Sequence, residues 1–253
     1  MICRMNAPGQ AAALFGDWPE AILWSCLQGV MGAVYGDDPA APRSAAAILG
    51  DFCFLAGEPL PELAEQALRG RDSCILIPRD SRWEAPIART FGSRAAPITR
   101  YATRKDPAGF DRPYLQKLAS GLDKSYTIRI IDEDLYDLCK EETWSRDLAA
   151  QFPSWDAFRN LGLGFVVLQD GRLVSGAASY ARYREGIEIE IDTHPDFRRR
   201  GLALACGARL ILECLDRGLY PSWDAHTPAS LALAERLGYA LSHPYPAFFV
   251  TAR

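Results

Sequence analysis

The sequence predicts an α+β fold, on three observations from its second half. Strand-like and helix-like segments follow one another there in the order βααβββαβαβ. Two apolar runs, at 163–168 and 173–183, flank a Gln-Asp-Gly turn at 169–171, and Asp-Gly between such runs is a strong hairpin signal. The segment IEIEID at 187–192 alternates strictly, which makes it a half-buried strand with Ile187, Ile189 and Ile191 on one face.

The remaining elements of that half follow from local signals. Residues 126–131 read as a strand, 133–144 as a helix and 155–160 as a short helix. A long helix over 201–217 carries Leu204, Ala208, Ile211 and Leu215 on one stripe. A short strand over 220–224 precedes a helix over 228–237 that Gly238 stops, and the last strand covers 247–250. In the first half, CILIP at 74–78 reads as a buried strand, 83–91 as a helix and 98–103 as a strand, which predicts an α/β or α+β region. The apolar stretches 21–35 and 45–55 are ambiguous between strand and helix. KDPAGFDRP at 105–113, with two prolines, a glycine and alternating charges, reads as an inter-element linker. A boundary near 120 divides a smaller α/β companion domain, 1–120, from the main domain, 121–253.

Composition narrows the function. With 253 residues, 49% of them hydrophobic, the chain can bury a full core. A net charge of −4 and the lack of a basic stripe interleaved with aromatics speak against nucleic acid. No run is long enough for a membrane span, and the N-terminus lacks the order of a secretory signal, so the chain reads as cytoplasmic. Seven cysteines (Cys3, Cys26, Cys53, Cys74, Cys139, Cys206, Cys214) without a CxxC pair read as reduced and mostly buried. Three scattered histidines, His194, His226 and His243, predict no metal site.

The segment that carries chemistry is THPDFRRRGLA at 193–203. A strand that ends, turns through a basic glycine-containing loop and enters a helix presents free backbone N–H groups and the positive helix end to an anion. Gly201 permits close approach of the backbone, and Arg198, Arg199 and Arg200 add charge suited to a pyrophosphate and a ribose phosphate. The plainer alternative is a solvated basic turn.

Arg198-Arg199-Arg200-Gly201-Leu202-Ala203 matches the R/Q-x-x-G-x-G/A signature of the GNAT acetyltransferases, after the His194-Pro195-Asp196-Phe197 that commonly precedes it. Leu237-Gly238-Tyr239 resembles the close of the last helix of that family, and the element order is the family order. The resemblance implies a GNAT fold, a mixed and mostly antiparallel sheet flanked by helices. A narrower likeness, carried by WSCLQGVMG (24–32), GDFCF (50–54), EIEIDT (188–193), LILECLDRGLYPSWDA (210–225) and SLALAERLGY (230–239), is to bacterial GNAT proteins related to zwittermicin A resistance acetyltransferases. It implies an N-terminal companion domain, which would cap the cleft or shape a homodimer, and leaves the substrate open.

The resemblance implies acetyl-CoA as co-substrate. The backbone of Ile191, Asp192 and Thr193 would bond its pantetheine arm, and Arg198 through Ala203 its pyrophosphate. Thr227, with Ser230 three residues on, stands where many family members have an asparagine on the pantetheine. Ala234 stands where the tyrosine that protonates the leaving thiolate often falls. For the base, Glu190 is the first choice on the strand beside the thioester, with Glu188 and Asp224 as fallbacks. Glu188, Glu190 and Asp192 are otherwise the polar face of an edge strand, and if they line the cleft they raise one another's pKa. His226 reads as a surface or capping residue, and Trp144 to Asp147 either as an acceptor-binding loop or as a helix terminus. Tyr180 and Tyr183 read as packing residues. The expected reaction is N-acetylation of a small-molecule primary amine by direct attack. The alternatives are a non-catalytic acyl-CoA-binding or sensing module and an α/β scaffold whose loop binds another anion.

Overall fold

The computed structural model describes residues 2–252 and divides into two compact units, one holding the chain up to Arg100 together with Pro244 onward, the other Tyr101–His243. The first unit contains β1 (Cys3–Arg4), α1 (Ala12–Phe15), α2 (Ala21–Leu27), β2 (Ala33–Gly36), β3 (Ser44–Leu49), β4 (Phe52–Gly57), α3 (Pro61–Leu68), β5 (Ser73–Pro78), α4 (Glu84–Phe91) and most of β6 (Ala95–Thr103). The second contains α5 (Arg112–Ala119), β7 (Tyr126–Ile130), α6 (Glu133–Glu141), α7 (Trp155–Leu161), β8 (Gly164–Gln169), β9 (Arg172–Tyr183), β10 (Gly186–Thr193), α8 (Leu202–Asp216), β11 (Tyr220–Ser222), β12 (Asp224–Ala225), α9 (Pro228–Arg236) and the start of β13 (Leu241–Thr251).

In the first unit the ambiguous stretches resolve through glycines. The run 21–35 becomes α2 and then β2, separated at Gly29 and Gly32, both with positive φ. The run 45–55 is the hairpin of β3 and β4, turning at Gly50. Strands β1 to β4 pair antiparallel in chain order, and β5 lies parallel to β4. On the other side of β5 lies β13, antiparallel, in the register Phe248↔Leu76. Leu55, Leu63, Leu76, Trp83 and Ile87 form the core beneath α3 and α4.

In the second unit β7 to β10 are antiparallel neighbours and β11 joins β10 in parallel. The helices begin where the sequence supplies caps. Asp111, Asp132, Ser154 and Thr227 accept the backbone N–H of Tyr114, Leu135, Ala157 and Ser230 and start α5, α6, α7 and α9. Helix α6 ends at Glu141, before the expected Trp144, because Glu142 is already extended.

Ile187 and Ile189 face α8 and share a core with Leu204, Ala208 and Ile211. A Cβ on Gly207 would lie 3.0 Å from Ile191 Cδ1, so the helix rests closely on the strand. Burial of each such aliphatic side chain is worth about 1.5–3 kcal/mol.

The segment 105–113 joins β6 to α5, as an inter-element linker, and it is packed: Phe110 is buried against Tyr220 and Tyr239, at ring-centroid distances of 5.9 and 5.0 Å. Its Gly109 lies against Gly238, and a Cβ on either would press into the carbonyl of the other. The strand expected over 220–224 is two strands, since β11 pairs with β10 whereas β12 pairs with β6.

Candidate active site

The site begins where β10 and β11 part. Their parallel register runs Gly186↔Tyr220, Ile187↔Pro221, Glu188↔Ser222 and stops. Beyond Trp223, whose carbonyl accepts the Thr103 hydroxyl at 2.6 Å, Asp224 and Ala225 pair with Ala102 and Tyr101 instead. Glu188 is buried in the crotch, and its Oε1 accepts the backbone N–H of Asp224 at 2.7 Å. From Ile189 to Thr193, among the described residues, β10 keeps a strand neighbour only in β9. A strand that is interior at one end and an open edge at the other offers backbone donors and acceptors to an extended ligand. The IEIEID segment is therefore not simply an edge strand, and its Glu188 is not on an outer face.

The second component is the loop at the start of α8. His194 opens it, its Nδ1 accepting the Asp196 N–H at 3.2 Å, and Arg199 and Gly201 both take left-handed backbone conformations, with φ of 63° and 80°. Alternation of this kind turns successive N–H groups toward one side. Gly201 is the N-cap of α8 and makes no side-chain cap bond, and no acidic residue occupies the first turn. The first amides of α8 and its positive end are thus left for an anion. Arg198, Arg199 and Arg200 are exposed around it. Arg200 is held in place by Tyr126 Oη at 3.2 Å and the Asp196 carbonyl at 3.0 Å, with its guanidinium 4.8 Å from the Phe197 ring. Arg198 Nε donates to the Thr193 carbonyl at 3.4 Å.

The third component is a group of carboxylates. Glu190 and Asp192 are half-buried on the face of β10 opposite the isoleucines. Burial and then repulsion from Asp147 push the Asp192 carboxyl up to about 6, while Arg198 and a hydrogen bond with Glu190 oppose the rise. Asp147 belongs to the turn Arg146–Leu148, anchored by the Ser145 hydroxyl on the Cys139 carbonyl at 2.8 Å. Leu148 of that turn lies against Gly176, where a Cβ would collide with it, and Gly176 stands opposite Asp192 in the sheet. The small residue on β9 is what lets the turn approach. Ser175, its neighbour, donates to the Asp192 carbonyl at 2.9 Å and bonds Thr193 Oγ1 at 2.8 Å.

The structure brings Ile191, Asp192, Thr193, Glu190 and the 198–203 loop together along one strand end. Glu188 lies deeper, at the crotch. Asp224, whose backbone Glu188 holds, belongs to β12. Thr227 and Ser230 are engaged locally: Thr227 caps α9, and the Ser230 hydroxyl accepts Trp223 Nε1–H at 3.2 Å. Ala234 is fully buried in the core. Tyr183, at the hairpin end of β9, bonds Ser222 at 3.1 Å and is pushed up to about 12 by burial. Trp144 packs edge-on against His194, which packs edge-on against Phe197, so the tryptophan supports the arginine loop. Asp147 entered the sequence reading only as the end of Trp144 to Asp147, an acceptor-binding loop or a helix terminus, and Ser175, Gly176 and Tyr126 were not singled out as site residues. Only long-range register joins them to the strand, and no local spacing signals that.

A strand splayed from its parallel neighbour, beside a helix whose basic, glycine-containing start is uncapped, defines an acyl-CoA-dependent transferase of the GNAT fold. A family model described as GNAT acetyltransferase matches residues 12–248, and the chain belongs to that family of acyl-CoA-dependent N-acetyltransferases. It is 50% identical to a GCN5-related N-acetyltransferase-like protein from Streptococcus suis 89/1591, with a TM-score of 0.92 over 96% of this chain and 97% of that one. It is 26% identical to the uncharacterized N-acetyltransferase YdfB of Bacillus subtilis (strain 168), over 93% of each chain. A tandem GNAT protein from the clavulanic acid biosynthesis pathway shares the fold at 11% identity, with a TM-score of 0.58 over 100% of this chain and 98% of that one. Among the described residues no helix is long and apolar enough to cross a membrane.

Proposed function

We propose that the protein transfers the acetyl group of acetyl-CoA to a primary amine of a small molecule, with Asp192 as the base. The observation that carries this reading is the placement of one carboxyl, raised to about 6, at the free edge of β10 next to the arginine loop. The uncapped start of α8, with left-handed Arg199 and Gly201, fits a pyrophosphate, and the open backbone of Ile191, Asp192 and Thr193 fits an amide-bearing arm. Acetyl-CoA supplies an activated thioester carbonyl for the amine to attack.

The chain's own groups account for the rest. Asp192 is ionised at neutral pH yet far more basic than an ordinary carboxylate, which suits it to take a proton from an ammonium. Glu190, the first choice from sequence, bonds Asp192 and serves in this reading to bind the cation with it. Asp147 adds charge of the same sign, which favours a cationic acceptor over a neutral or anionic one. The amine nitrogen then bonds the carbonyl carbon, the carbon–sulfur bond breaks, the nitrogen releases its remaining excess proton to solvent to leave the amide, and the thiolate takes a proton from solvent, since position 234 offers only a methyl group. The fully buried Ala234 is what favours the second reading, a binding module without turnover.

The division of labour expected at residue 120 is carried in this reading by the two units, with the chemistry in Tyr101–His243. The likeness to zwittermicin A resistance proteins stays a proposal of kinship without a substrate. A panel of primary amines with acetyl-CoA, read by thiol release, tests the reading. Turnover of at least one amine, lost in Asp192→Asn, supports it, whereas acetyl-CoA binding without turnover of any amine favours the binding module.

A further inference from the structure

One element order recurs along the chain. The first run is β1-α1-α2-β2-β3-β4-α3-β5-α4-β6, and the second, after α5, is β7-α6-α7-β8-β9-β10-α8-β11-α9-β13, with the short β12 between β11 and α9 and most of β13 belonging to the first unit. Pairing repeats as well: an antiparallel β1-β2-β3-β4 with β5 parallel to β4 corresponds to an antiparallel β7-β8-β9-β10 with β11 parallel to β10. The register can be matched at one bond, since Ile75 N–H donates to the Asp51 carbonyl at 2.7 Å where Tyr220 N–H donates to that of Glu185 at 2.9 Å. Phe52 then corresponds to Gly186, Phe54 to Glu188, Ala56 to Glu190 and Arg79 to Asp224.

We propose that the first unit is a second copy of the acyltransferase fold that has lost its acyl-CoA site, so that the chain binds acetyl-CoA in the second unit alone. The proposal rests on the cofactor reading given above for the second unit. Two differences carry it.

At the crotch, the second unit directs the Asp224 N–H to the Glu188 carboxylate, whereas the first directs the matching Arg79 N–H to the Leu55 carbonyl at 2.8 Å. The ladder therefore stays closed through Leu55↔Pro78. Phe54, in the place of Glu188, is buried and packs edge-on against Trp18 at 5.2 Å, so apolar packing fills the position that a carboxylate props open.

The anion cradle is missing. Where the second unit has the loop His194 to Gly201 with three arginines, the first passes from β4 to α3 through Glu58, Pro59 and Leu60. Pro59 and Pro61 have no N–H to offer, and Glu58 and Glu62 place negative charge where a phosphate would bind.

Acetyl-CoA titrated calorimetrically into the full chain should bind with a stoichiometry of one, and Gly201→Glu should weaken that binding by at least about 100-fold, the loss of more than one charge-assisted contact. Hydrogen–deuterium exchange of the wild-type protein should show protection by acetyl-CoA at 191–205 and none at 57–68. A stoichiometry of two, saturable binding that survives Gly201→Glu, or protection at 57–68 would overturn the proposal. Absence of heat and of protection anywhere would support the loss in the first unit while sinking the cofactor reading of the second.

Discussion

Glu188 and Asp224 meet through one bond, carboxylate Oε1 to backbone N–H at 2.7 Å, and that bond replaces the next rung of the β10–β11 ladder. A side chain that satisfies the first amide beyond the crotch lets the strands part without leaving a buried donor unpaired. In the proposed reading this gives Glu188 a supporting role and leaves proton transfer to Asp192. Glu188→Gln, which keeps an acceptor oxygen, should retain kcat within about threefold. Glu188→Ala should lower the melting temperature by several degrees, since a buried donor left unsatisfied costs about 1–3 kcal/mol. A hundredfold loss in Glu188→Gln, with the melting temperature unchanged, would return the base to Glu188.

Asp192 predicts a particular pH dependence. Its carboxyl is raised to about 6 chiefly by burial, so the basic form needed for turnover appears only as the pH passes that value. The profile of kcat/KM should carry one unit of slope below about pH 6 that is absent from Asp192→Asn, whose kcat should fall roughly 10²- to 10⁴-fold. Stability should respond in the opposite sense. Because the folded chain holds this proton up to about 6 and the unfolded chain releases it near 3.8, the wild-type protein loses stability as the pH rises through that window. Asp192→Asn lacks this loss, so its melting temperature relative to wild type should rise between pH 4 and pH 6 and then level off. A constant difference across the window would remove Asp192 as the raised group.

The sequence made most of the second unit legible because its signals are local. Alternation in IEIEID, the Asp-Gly turn and the glycine-arginine loop each lie within a few residues of the element they specify. What escaped depends on pairing between distant segments. The switch at Trp223 is decided by β6 taking up Asp224 and Ala225, and nothing within 220–225 signals it. The meeting of Asp147 with Asp192 escaped for the same reason, since it depends on Gly176, on a third segment, making room for the turn. The first unit was harder to read because its strands β3 and β4 are buried on both faces and so do not alternate.

Arg200 is the arginine of the loop with the most preorganised position, bonded to Tyr126 and the Asp196 carbonyl and lying over Phe197. A guanidinium fixed before the ligand arrives loses little entropy on binding a phosphate. Arg200→Ala should raise KM for acetyl-CoA about 10- to 100-fold with kcat nearly unchanged, the range expected for one charge-assisted contact. Arg200→Lys should recover only part, because a single ammonium cannot make the forked contact or lie flat on the ring. Tyr126→Phe, measured alongside, should give a smaller rise of the same kind. An equal fall in kcat would mean that the loop acts on the chemistry and not on binding.

Ala234 stands where the family resemblance expects a tyrosine, and its surroundings bear on whether one can be installed there. Its side chain is fully buried in the core of the second unit, beneath α9, and its carbonyl accepts the N–H of Tyr239 at 3.2 Å. Tyr239 is itself buried there, packed on Phe110 and Trp223 and bonded to the Pro221 carbonyl at 2.7 Å. A phenol introduced at 234 would have to displace part of this fully buried core, and overpacking of that kind destabilises by about 1–3 kcal/mol or more. Ala234→Tyr should therefore lower the melting temperature without raising kcat, and Ala234→Ser, which adds a hydroxyl at little volume, should leave kcat within about twofold. A rise in kcat in Ala234→Tyr, with the thiolate-protonation limb of its pH profile moved to higher pH, would show that α9 can turn this position toward the ligand and that solvent is not the acid.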